Sequence, residues 1–148
     1  MPQAIQTLLS HRALALAARI ILTFPFWGSG LDKLINFSAG VADMRQFGLE
    51  PAILFNVAVL VTQLVGAGLI IAGRHVWLGA GALGIFTALT IPIVHHFWTM
   101  QGPAALHAFH TAAEHIGMIG GLITVSILSA RTRPAATGIA MPQVVPAR

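Results

Sequence analysis

Long apolar runs and short polar breaks alternate along this chain. The cleanest run is Pro51 to Gly73, PAILFNVAVLVTQLVGAGLIIAG, 23 residues without a charge. A buried strand ends after about four to eight residues. A helix rises about 1.5 Å per residue, so this run reaches across a bilayer core of about 30 Å. It predicts a membrane-spanning helix. Pro51 suits a first turn that needs no N–H, and Gly73 before Arg74 and His75 suits the stop. Three more runs read the same way: Ala13 to Leu34, Val76 to Trp98 and Ala105 to Ala130. Pro25 is expected to kink or loosen the first and Pro92 to bend the end of the third. The Arg74–His75 break is so short that its two spans must be antiparallel neighbours. Asn36 to Glu50 is too mixed to cross lipid. Its Phe37, Met44, Phe47 and Leu49 predict a short amphipathic helix lying on the membrane surface. Ala80, Gly84 and Ala88 in the third span, and Gly117 and Gly121 in the fourth, are small-residue spacings that permit close helix approach.

Lipid forces each span to satisfy its own backbone. The fold class is therefore an all-α membrane protein, an up-down bundle of four transmembrane helices. It forms one domain over residues 1–134, and the proline-containing residues 135–148 are expected to be a disordered tail.

Composition sharpens this picture. Charged residues make up 8% and hydrophobic residues 56% of the chain, whereas a soluble domain carries about a quarter charged. So few charges cannot cover a surface in water, and lipid is the implied outer solvent. Net charge is +4. In a membrane protein that mostly reports loop topology, and no basic strip interleaved with aromatics points to nucleic acid. Cysteine is absent, which excludes disulfides, thiolate catalysis, iron–sulfur clusters and cysteine metal sites. Met1 to Arg12 lacks a cleavable signal pattern, so the first span is read as retained. Arg12, Arg74, Arg131, Arg133 and Arg148 flank one side and Lys33 and Arg45 the other, which predicts cytoplasmic N- and C-termini.

Ionisable and polar groups inside such spans are costly and mark candidate chemistry. Arg19 lies about 10 Å past Arg12. It either snorkels to headgroups or holds an anionic or carbonyl-bearing partner between helices. Gln63, near the middle of its span, makes either an interhelical hydrogen bond or a contact to a ligand carbonyl. The fourth span carries the strongest signal. His107, His110 and Glu114 share one helix face, and His115 lies beside them. His95 and His96 end the third span at similar depth. Glu114 is expected to pair with His110, and His115 to reach the third-span histidines.

Three uses compete for this set. His110, Glu114 and His115 can move protons as a quinone or small substrate is reduced or oxidised, with Arg19, Gln63, His95 and His96 binding it. His107, His110 and Glu114 can ligate a transition metal. Two histidines on opposing helices can ligate a haem. Against all three stands an interfacial polar rim of His95, His96 and His107 among headgroups. No HExxH, phosphate loop or nucleophile elbow is present.

From about Arg19 to Leu128 the chain resembles the DoxX-like family of small four-helix bacterial membrane proteins. The matching pieces are Arg19 leading to Gly28-Ser29-Gly30-Leu31-Asp32-Lys33, Gly66-Ala67-Gly68-Leu69 to Gly73, His96-Phe97-Trp98, and Ile116 to Leu122 with Gly120-Gly121. The chain departs from the family pattern at Gln63, where members commonly carry glutamate, and at Glu114-His115, where they often carry Lys-Asn. The resemblance implies a protein of the bacterial cytoplasmic membrane. It also implies a quinone-linked role beside a soluble or membrane redox partner. A non-enzymatic scaffold that packs its Gly/Ala-rich faces against a partner, or against itself as a homo-oligomer, is the alternative.

Overall fold

The computed structural model describes residues 1–131; the expected tail, and with it Arg133 and Arg148, lies outside them. All regular structure among the described residues is helical: α1 (Gln3–Leu9), α2 (Arg12–Ile35), α3 (Phe37–Gln46), α4 (Ala52–Ile71), α5 (Val76–Val94), a 3-10 turn (Phe97–Thr99) and α6 (Gly102–Arg131). Four of these segments are long and apolar enough to cross a membrane: α2, α4, α5 with its 3-10 turn, and α6. Large side chains such as Ile21, Ile85 and Ile116 stand 65–71% exposed on their outer faces. An apolar exterior on this scale fits lipid rather than water.

Neighbours in sequence are neighbours in space. α2 packs on α4, α4 on α5 and α5 on α6, and α6 closes more narrowly onto α2. Below, the lower end means the one that holds the α4–α5 turn, and the upper end the one that holds α3. The lower half is tightly packed around Phe26, Ala67, Ile70, Val76, Ala80, Leu83 and Leu122. α4 and α5 touch backbone to backbone there: a Cβ added to Gly79 would stand 2.6 Å from the Gly66 carbonyl oxygen. The packing row on α5 is Val76, Gly79, Ala80, Leu83 and Thr87. The expected stripe of Ala80, Gly84 and Ala88 is thus only partly used, because Gly84 is half-buried and Ala88 faces outward.

Gly73 (φ 68°) and His75 (φ 50°) turn the chain between α4 and α5. The Arg19 guanidinium lies against Gly73, where a Cβ would collide with it. A cation is favoured beside the C-terminal carbonyls of α4.

Other elements depart from expectation for physical reasons. Pro25 lies inside α2, which runs on through it. The third span stops as α-helix at Val94, two residues after Pro92, and the His95 N–H closes it onto the Thr90 and Ile91 carbonyls. α6 begins at Gly102, earlier than the apolar pattern does. α3 does not lie out on the membrane surface. Val41 and Met44 are buried against Ala52, forming a second small core at the upper end. Gly40 abuts the Asn56 side chain, and Lys33 Nζ on α2 stands 3.4 Å from Asp43 Oδ2 on α3.

Candidate functional site

Above the packed lower half, the helices enclose a cavity of about 510 Å³. α2 contributes Phe26, Ser29 and Lys33, α4 contributes Val59 and Gln63, α5 contributes Phe86, Thr87, Thr90 and Val94, and α6 contributes His115 and Met118. α3 and the segment after it cap the cavity with Asp43, Met44, Phe47 and Leu49. Phe55, Leu89 and Ile93 line it and are also exposed on the outside of the bundle. With Pro25 of α2, also exposed, they leave the cavity open at the side of the bundle, on its apolar exterior.

The wall is mostly apolar, and its few polar groups fall in two places. At the middle of the bundle, Gln63 is 4% exposed, and its Nε2 donates to Ser29 Oγ at 3.3 Å. Its Oε1 is buried without a hydrogen-bond partner among the described residues. A buried amide oxygen left bare is costly, so it marks a place for a ligand or water donor. Ser29 can accept or donate, so the amide can turn and present either its oxygen or its NH2 to the cavity. Nearer the upper end, His95 and His115 meet edge-on, with ring centroids 5.0 Å apart. His115 Nδ1 is likewise buried without a partner. Lys33 and Asp43 stand at the same end. The hydroxyls of Thr87 and Thr90 donate back to Leu83 O and Thr87 O, at 2.7 and 2.8 Å, so they add little free polarity.

The structure sorts the residues singled out in the sequence. Gln63, His95 and His115 share the cavity; His96 is not among its lining residues. Arg19 lies against the α4–α5 turn, ten residues along α4 from Gln63, or about 15 Å. It faces neither the cavity nor Gln63. His107, His110 and Glu114 share one face of α6, and all three are exposed and line no part of the cavity, although His107 stands near enough to His95 for their charges to interact. The ion pairs among the described residues are Lys33–Asp43 and Arg45–Glu50, so Glu114 is not paired with His110 as the sequence led us to expect. Among the described residues, no three His, Asp or Glu side chains gather to hold a metal, His107, His110 and Glu114 included. The His95 and His115 rings touch, which leaves no room for a porphyrin between them.

Sequence reasoning passed over Ser29, Asp43 and the Phe26–Phe86 wall. Ser29 sits between two glycines, where a serine reads as a packing residue. Asp43 belongs to the cavity only because α3 folds inward.

In comparison with known protein families, the DoxX family model aligns with residues 14–96. The matched segment contains the α2, α3, α4 and α5 walls of the cavity, and α6 lies beyond it. No curated protein matches the chain, and no solved structure does.

Proposed function

Because the chain belongs to the DoxX family, we propose that this multi-pass membrane protein binds a membrane-dissolved quinone in its lateral cavity, as a subunit or accessory of an oxidoreductase system. The observation that carries this reading is the buried, unpartnered Gln63 amide oxygen at the inner end of an apolar cavity open to lipid. A hydrophobic ligand with a few polar atoms at fixed places is what such a pocket accepts. A volume of about 510 Å³ suits a single substituted ring with the start of its tail. The Phe26, Phe86 and Met118 side chains offer it flat and adaptable contact surface.

Gln63 and Ser29 would hold one ring oxygen. The amide serves a carbonyl through its NH2 and a hydroxyl through its oxygen, so the same pair accepts oxidised and reduced forms. His95 and His115 stand toward the other end, where His115 Nδ1 can accept a proton from a ligand oxygen or return one. When bound, a quinone supplies two-electron, two-proton redox chemistry. The chain's residues bind, orient and exchange protons, and the electrons come from a soluble or membrane redox partner. Arg12, Arg19 and Arg74 at the lower end, against Lys33 and Arg45 at the upper, support cytoplasmic termini in a bacterial cytoplasmic membrane.

The test is binding of a short-chain quinone to the purified protein in nanodiscs. Gln63→Leu should weaken binding about tenfold, the equivalent of roughly 1.4 kcal/mol. Glu114→Gln, on the outer face, should leave it unchanged. Negligible binding by the unmodified protein, or equal binding by Gln63→Leu, would sink this reading.

A further inference from the structure

Glu114 precedes His115 in α6, so it lies at the depth of the cavity, but it is exposed and does not line it. It stands midway along a helix long and apolar enough to cross a membrane. A carboxylate presented there is costly unless something supplies it with a hydrogen-bond donor. Among the described residues no ion pair does so. One turn earlier on the same exposed face is His110, and a further turn back is His107. The face thus holds an acceptor and its donor side by side on one row.

We propose that this face of α6 is the contact surface between two copies of the chain, with Glu114 of each copy accepting an imidazole N–H from His110 of the other. A surface that carries both partners of a hydrogen bond one turn apart complements itself. A two-fold axis along the membrane normal suits two copies inserted the same way, because it sets their α6 helices side by side in one direction. Close approach is open: a Cβ built on Gly117 or Gly120 meets nothing within 4 Å, and Ala113 and Thr124 beside them are small and exposed. A second helix can therefore come near enough for the short His–Glu contact, which longer side chains on this row would prevent. None of these residues lines the cavity, so the surface stands independently of what the cavity binds.

The chain has no cysteine, so single cysteines report the contact directly. Full-length Ala113→Cys, Gly117→Cys and Thr124→Cys would be oxidised with copper phenanthroline in the membranes that express them. Leu54→Cys, 64% exposed on α4, is the control for random collision. We expect the α6 positions to give a product of twice the chain mass, several-fold above the control. Adding Glu114→Leu should cut that yield several-fold, and Glu114→Gln, which still accepts a hydrogen bond, should restore much of it. Variants are compared at equal membrane abundance, and three positions guard against one that folds poorly. Cross-linking no stronger than the control, a product of another mass, or a yield indifferent to Glu114→Leu would overturn the proposal. None of these outcomes touches the quinone-binding measurement.

Discussion

Gly79 shows how one missing side chain positions the site. With only hydrogen on its Cα, α5 comes against the Gly66 carbonyl of α4, and Leu83 fills the space over Gly66. This contact ties the lower half of the two helices and leaves the upper half free to part around the cavity. Gly79→Leu must therefore push α4 and α5 apart. We expect a loss of about 1–3 kcal/mol, the usual cost of overpacking. Gly81→Leu, on the open outer face where a Cβ meets nothing within 4 Å, should leave stability nearly unchanged. Reversible unfolding in mixed micelles would measure both, and equal losses would contradict this assignment. By contrast, the Lys33–Asp43 pair holds α3 only weakly. Asp43 is half exposed and the separation is 3.4 Å, so the pair adds at most about 1 kcal/mol. The buried Gly40–Asn56 and Val41–Met44 contacts seat α3 instead.

At the scale of elements, the four spans were legible because lipid imposes a length and a polarity that no soluble helix must meet. Their boundaries agree with the structure to within a few residues, except where Pro92 ends α5 early and α6 starts before its apolar run. What hydropathy could not supply was facing. A mean over a window says that a segment belongs in lipid, not which side meets a neighbour. Hence His107, His110 and Glu114 read as part of one polar cluster with the third-span histidines, though all three stand exposed outside the cavity. Helical spacing established that they lie together; only the packing of Ala108, Ala112 and Leu122 establishes that they lie outside. The same limit hid α3. Its amphipathic pattern was visible, but lipid and the upper end of α4 are both apolar, and the sequence alone does not choose between them. Gln63 was legible as a polar residue deep in a span. Its partnership with Ser29, 34 positions earlier, needed the fold.

The whole molecule is a bundle packed tightly at one end and parted around a capped, laterally open cavity at the other, with its basic residues weighted toward the packed end. If that end is cytoplasmic, the cap and the cavity mouth lie in the outer half of the membrane. Cysteines at Ala42 and Gln101, both exposed at the upper end, should label from outside intact cells with an impermeant thiol reagent. A cysteine at Arg74 should label only after the cells are opened. The reverse pattern would invert the orientation and leave the fold untouched. The central claim is that the lateral cavity receives a quinone, and its most direct measurement is site mapping. The protein in nanodiscs would be irradiated with a photoreactive quinone analogue and the labelled peptides identified by mass spectrometry. Label should fall on cavity-lining residues such as Met118, Phe86 and Met44, and excess unlabelled quinone should compete it away. Label spread over outward residues such as Ile21, Ile85 and Ile116, indifferent to competition, would contradict the claim.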